Sequence, residues 1–428
     1  MTMRALTMTL ALFFLSGTAI AQNDSKITTG VVAYQQGDFF QAEQSLRAGL
    51  EYESMLKEKN IAKGWYHLGL SLMGIVQTAN REKDTQTLQK YAGAFLEAYN
   101  CFVLAIEKDM GSGTYGPQAV DQLKSLFNSL LQLGLQYMNS GLYNDAMPYF
   151  DAAATISQNM LDEENYLVYD LRAQARLAQS DTLGARADFI KAKEIFSNFP
   201  PDQPDQLIAY VYYRLALLAS YQDNAADQVL EILREGMEVL EKEHSRLRQA
   251  DYTAEYWAAL SEQYETAKAD LSAFELDILL NSPDKLKQAL EKFDKAVKED
   301  PQNYIKQVAY ARLLEKVDQE KAISVYKKAI TIDDRNVVAF FNLGALYVNR
   351  AAEVSKKAME TDDFEKAKKY EAEVNQHFKN ALPYLEKAYR ISPSDLTIIR
   401  ALKQVTIYLE MTEDYQKYKE AERVLTGG

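Results

Sequence analysis

The sequence predicts an all-α protein built from short antiparallel helix pairs, and three observations predict it. Apolar residues recur at i, i+3, i+4 and i+7 along most of the chain, small and large residues alternate at fixed offsets, and turn-forming residues interrupt the pattern. The stretch from Leu130 to Ala153, LLQLGLQYMNSGLYNDAMPYFDAA, shows all three. Leu130, Leu133, Gly134 and Tyr137 share one helix face, and Ala146, Phe150 and Ala153 resume the spacing after a break at Asn139-Ser140-Gly141. Gly141 supplies the permissive backbone that a tight helix-to-helix turn requires. Gly134 and Ala146 are small where two helix axes must approach, and Tyr137 and Phe150 are large to fill the space beside that contact.

The order Leu130, Leu133, Gly134, Tyr137, Gly141, Tyr143, Ala146, Phe150, Ala153 is similar to the tetratricopeptide repeat, a helix pair of about 34 residues. The resemblance implies a right-handed superhelical solenoid in which the first helix of each pair lines a concave surface for an extended or helical peptide. It speaks to fold more than to function, because a repeat scaffold hosts many partners.

Taken in order, Gly30, Ala33, Gly37, Phe39, Ala42, Leu46 and Gly49 form a first, degenerate unit, with Lys26 where a large apolar residue is expected. That departure suits a terminal repeat, one face of which meets water. The second unit opens with Trp65, Leu68, Gly69 and Leu72 and closes with Ala98, Phe102 and Ala105, its halves about 17 residues too far apart. The excess predicts two lengthened helices in a protruding hairpin. After the Leu130–Ala153 unit, Tyr169, Ala173, Ala185, Phe189 and Ala192 mark a fourth, ending before Asn198-Phe199-Pro200-Pro201. The paired prolines stop a helix. They separate an expected N-terminal array, 22–199, from a C-terminal one, 200–428, either as a bend or as an ordinary loop in a continuous array.

A weaker fifth unit uses Tyr213, Ala216 and Leu217, then Val229, Leu233 and Gly236. The sixth runs from Trp257, Leu260, Ser261 and Tyr264 to Ala289, Phe293 and Ala296, with an excess of about 16 residues that reads as helix, turn and helix. Ala309, Leu313, Ala322, Tyr326 and Ala329 form a compact seventh unit. Phe340, Leu343, Gly344 and Tyr347 open the eighth, which closes with Ala381, Leu385 and Ala388 after an insertion of about 25 residues rich in Lys and Glu, expected as a long solvated hairpin. Leu402, Val405, Leu409, Tyr415 and Ala421 mark the last unit, with Thr406 in place of the small residue.

The ends and the composition bound the function. Arg4, the apolar run ALTMTLALFFLSG and Ala19-Ile20-Ala21 read as a signal peptide over 1–21, cleaved after Ala21. The expected location is periplasmic or secreted. Gln22, not Cys, would be the new N-terminus, so no lipid anchor is expected, and no second apolar run could span a membrane. The chain has 428 residues, 47% hydrophobic and 25% charged, with a formal net charge of -13. That charge opposes phosphate backbones, so nucleic acid is excluded as an expected partner. The one cysteine, Cys101, reads as a buried, inert thiol.

Chemistry is sparse in the sequence. His67, His244 and His377 are scattered, without metal-ligand spacing, and no nucleophile elbow or Walker loop occurs. His67 reads as a partly exposed helical residue beside Tyr66. Gly111, Gly113 and Gly116 spell G-x-G-x-x-G, but a helix rather than a strand precedes them, and Pro117 reads as a first-turn helix residue. No cofactor and no enzyme activity are expected.

The resemblance assigns the groove by register. It implies peptide-binding candidates at Lys63, Tyr66 and Leu70, at Asn128, Leu131 and Leu135, at Glu255, Ala258 and Glu262, and at Val338, Phe341 and Ala345, with Asn342 beside them. Asn342 lacks the basic neighbours of the family's carboxylate clamp, which disfavours chaperone-tail binding. The expected function is an exported, non-catalytic scaffold binding protein or peptide partners, resembling periplasmic tetratricopeptide proteins of Bacteroidota. Two alternatives stand beside it: an accessory factor for envelope assembly or secretion, and a glycan-binding protein using some of the 28 tyrosines.

Overall fold

The computed structural model describes residues 22–109, 113–198, 201, 204–248 and 252–427. The expected signal peptide, Gly111 and Pro200 lie outside them. Nearly every described residue between turns is helical, and no described residue is in a strand. Two compact units emerge, Asn224–Leu233 and everything from Ala269 onward belonging to the second and the rest to the first.

The first unit begins with α1 (22–35) and α2 (Phe39–Leu50), followed by α3 (Glu58–Glu82), a short α4 (Thr85–Lys90) and α5 (Ala94–Lys108). Next come α6 (Tyr115–Asn139), α7 (Tyr143–Met160), α8 (Tyr166–Ala178), α9 (Thr182–Asn198) and α10 (Ala209–Ser220). The pairs α3/α5, α6/α7 and α8/α9 pack in consecutive order, α10 rests on α9, and α1 packs on α2 with Gly30 against Leu46 and Ile27 against Gly49. Two further helices, α11 (Ala226–Leu247) and α12 (Ala254–Asn281), contribute residues to both units. The second unit continues with α13 (Pro283–Glu299), α14 (Tyr304–Leu314), α15 (Gln319–Ile332), α16 (Val337–Glu360), α17 (Phe364–Ile391), α18 (Leu396–Tyr408) and α19 (Thr412–Thr426). There α14/α15, α16/α17 and α18/α19 pair. All the helices anticipated from the repeat pattern are present.

One contact explains the pairing. A Cβ added to Gly69 would come within 2.7 Å of the Phe102 ring, one on Gly134 within 2.7 Å of the Phe150 ring, and one on Gly344 within 2.7 Å of Leu385. Each small residue sits on a first helix and each large one on its partner, so hydrogen in place of a methyl group sets the interhelical distance. Gly141, at φ +75°, turns the chain between α6 and α7. The starts of the helices are written locally as well. Asp38, Asp84, Asn165, Asn303, Asp318, Asn336, Asp363 and Asp395 each accept a hydrogen bond from a first-turn backbone N–H.

The three insertions resolve differently. In the second unit of the repeat pattern only α3 is lengthened; α5 has 15 residues, and the excess becomes α4 rather than a hairpin arm. The reason is local, because Asp84 caps a new helix at Gln86 and Thr87 while Gly93 precedes α5. In the sixth, α12 takes nearly all of the excess, running 28 residues to a turn at Ser282. In the eighth, α16 and α17 reach 24 and 28 residues and form the long hairpin expected there.

Candidate interaction surface

The first helices of the first three pairs, α1, α3 and α6, bring one group of side chains together. Tyr66 and His67 on α3 meet edge to face at 5.2 Å between ring centroids, Tyr115 at the start of α6 lies 5.6 Å from Tyr66, and Tyr34 near the end of α1 lies 5.7 Å from His67. Phe102 on α5 backs the group, 6.0 Å from Tyr66. Edge-to-face geometry matches positive ring edges to negative faces, which holds the rings in place. Tyr66 is only 8% exposed, so the groove candidate named from register serves largely as packing, with its hydroxyl end toward the cluster.

His67 departs from the partly exposed position expected of it and is 9% exposed. Its Nδ1 lies 2.9 Å from the Lys63 carbonyl oxygen. A carbonyl only accepts, so Nδ1 carries the proton and Nε2 presents a lone pair. Burial depresses the imidazole pKa, the bond to the Lys63 carbonyl opposes it in part and the Lys63 charge adds a little to it, so the ring is neutral at pH 7. Burial likewise raises the Tyr34, Tyr66 and Tyr115 phenols, Tyr66 further through Tyr34 and the Asp121 carboxylate. None of the three hydroxyls bonds to a described residue. The cluster therefore holds three neutral hydroxyls and one imidazole acceptor, with Tyr34 and Tyr115 half-buried at its open side and Tyr66 and His67 buried behind them.

The other candidates divide by exposure. Asn128, Glu255, Ala258 and Glu262 are exposed in the first unit, and Lys63 and Leu70 are half-buried. Leu131 and Leu135 are half-buried against a small core formed by Ala146, Phe150, Leu171 and Ala175. Phe341, Asn342 and Ala345 are half-buried in the second unit and Val338 is exposed; Phe341 packs on that unit's core. The structure brings Lys63, Tyr66 and His67 together on α3. It also adds Tyr34 and Tyr115, which register reasoning missed because one sits past the repeat's small positions and the other in a loop-like stretch. The tyrosine count was the only signal of them.

Elsewhere polar groups are mostly committed to one another. Arg172 binds Asp188 through two nitrogens, at 2.9 and 2.7 Å, and Asp151 at 3.0 Å, while Arg176 reaches Asp188 at 3.0 Å. Such a closed network orders α8 against α9 and leaves no charge for a ligand. Asp109 accepts from the backbone N–H groups of Tyr115 and Gly116 at 3.0 and 2.7 Å, so the donors next to the glycine spelling already hold the chain's own carboxylate. Burial pushes the Cys101 thiol up to about 12, as an inert cysteine requires. Among the described residues no group of three or more His, Cys, Asp or Glu could hold a metal ion, and no helix is long and apolar enough to cross a membrane.

The described residues thus define a helical-repeat protein, and within each unit successive first helices touch, α3 with α6 and α6 with α8 in the first, α14 with α16 and α16 with α18 in the second. No protein-family model matches the sequence, and no curated protein matches it. Solved structures are similar. Residues 1–338 of the assembly chaperone of RpL4, Acl4, are 12% identical, cover 68% of this chain and 99% of their own, and give a TM-score of 0.41. The TPR domain of P58(IPK) is 14% identical, covering 91% of this chain and 99% of its own at a TM-score of 0.25. The C-terminal part of a TPR repeat-containing protein from Cytophaga hutchinsonii is 12% identical, covering 73% and 98% at 0.31. At these identities the likeness concerns fold alone, and at these scores the case for paired helices rests on this chain's own geometry.

Proposed function

We propose that this chain is an exported, non-catalytic scaffold whose first-helix face takes a segment of a partner protein. The observation that carries the reading is the Tyr34–Tyr66–Tyr115 cluster. Hydroxyls from three successive first helices gather beside a neutral imidazole acceptor and have no partner among the described residues. Groups of this kind suit the alternating donors and acceptors of a peptide backbone. Lys63, Asn128, Leu131, Leu135, Glu255 and Glu262 would extend that surface in the first unit, and Phe341 and Asn342 would supply one in the second. Export rests on the sequence of residues 1–21.

A photo-crosslinking amino acid placed at Asn128, in cells expressing the full precursor, tests the binding claim. A discrete protein adduct is expected at Asn128, weakened in the Tyr34→Phe, Tyr115→Phe double variant, with none from the exposed Leu183 on α9. Equal adducts from both positions would sink it. N-terminal sequencing of the purified protein tests export: a chain starting at Gln22 is expected, and an intact Met1 start in the cytosolic fraction would rule it out.

A further inference from the structure

We propose a second binding site, apart from the groove candidates, in the cleft between α3, α4, α5 and the end of α6, which would take one bulky apolar side chain of an uncharged peptide segment. The cleft measures about 410 Å³ and exists because the insertion folds as α4 and walls off the end of the pair. Val76, Leu88, Phe95 and Leu133 line it with buried or half-buried side chains, together with the amides of Asn80 and Gln136. Both amides are exposed and bond to no described residue. An amide side chain offers one acceptor and two donors, a match for the peptide groups on either side of an anchoring residue.

Charge and polarity select the occupant. Not one lining residue is charged, in a chain where 25% of residues are, so a charged side chain would be desolvated there without a partner. A sugar is disfavoured because the Tyr91 hydroxyl is already given to Glu43 and the Ser140 hydroxyl to the Gln136 carbonyl oxygen, which leaves few partners for its many hydroxyls. The walls are pre-formed: the Tyr91 hydroxyl donates to Glu43 Oε2 at 2.8 Å, and Tyr137 stacks on Tyr149 at 5.4 Å. A bound side chain therefore orders little that is not already ordered. The site does not depend on the tyrosine cluster on α1, α3 and α6, and either can fail alone.

Saturation-transfer NMR on the purified full chain tests it, with N-acetyl-phenylalanine N-methylamide, N-acetyl-lysine N-methylamide and maltose as separate probes. Transfer to the phenylalanine probe alone is expected. Ala92→Phe fills the mouth from an exposed position and should abolish it, and Gln136→Ala should weaken it roughly three- to tenfold, both with an unchanged thermal melt. Tyr34→Phe should leave it unaltered. No transfer to the phenylalanine probe, transfer to the lysine probe or maltose as strong as to it, or full binding by Ala92→Phe would each overturn the proposal.

Discussion

At the scale of single residues, the glycines facing large partners set how closely a pair can approach. Gly134→Ala places a methyl group 2.7 Å from the Phe150 ring, a distance that forces either the ring or the helix to shift. We expect a loss of about 1–3 kcal/mol in urea unfolding, the range for overpacking a close-packed contact. An unchanged midpoint would mean that α6 and α7 are not held at this point. His67 yields a second expectation. Its folded pKa lies below the ordinary 6.5, so the unfolded chain takes up the proton first, and the stabilisation is complete above about 6.5 and lost as pH falls toward the folded value. His244 is depressed in the same direction, chiefly by burial. The urea midpoint should therefore decline as pH falls below about 6.5, and His67→Gln should flatten part of that decline. A slope identical in wild type and variant would show that His67 is equally accessible folded and unfolded.

At the scale of elements, the α16/α17 hairpin separates what holds the fold from what projects beyond it. Met359 and Phe364 near its turn are 82% and 77% exposed, whereas Val374, ten residues into α17's arm, is 1% exposed. Val374→Ala should cost about 1–3 kcal/mol, while Met359→Ser with Phe364→Ser should stay within about 0.5 kcal/mol in thermal unfolding. A costly turn variant would mean that the turn is covered. The insertions also show how far local signals reach. The caps and the turn at Asp362-Asp363 are legible residue by residue, so the hairpin was foreseen. Whether NREKDTQT would extend two helices or seed a separate α4 depended on Asp84 competing with the neighbouring turns, a balance of about 1 kcal/mol that periodicity does not register.

At the scale of the whole molecule, two units with cores of their own should not unfold as one. The second unit has a continuous core that includes Val308, Tyr326, Leu343, Phe378, Leu385, Leu402 and Tyr418. Both tryptophans, Trp65 and Trp257, lie in the first. Tryptophan fluorescence therefore reports one unit and helical circular dichroism reports both. Their urea transitions should fail to coincide, as expected where an array's cooperativity breaks. Coincident curves would show a single cooperative block.

The sequence by itself determined most of the helices, their order and the pairing of α3 with α5, α6 with α7 and α16 with α17, because each pair is written in a small-to-large contact inside one repeat: Gly69 with Phe102, Gly134 with Phe150, Gly344 with Leu385. Spacing of that kind survives in a string of letters. Only the tertiary structure decided that His67 is buried, that Tyr34, Tyr66 and Tyr115 converge, and that the first insertion walls a cleft. Those outcomes join three or four helices, and their side chains carry no fixed offset from one another; which hydroxyl ends beside which ring is settled by how pairs pack on pairs, after the pattern that forms each pair has done its work.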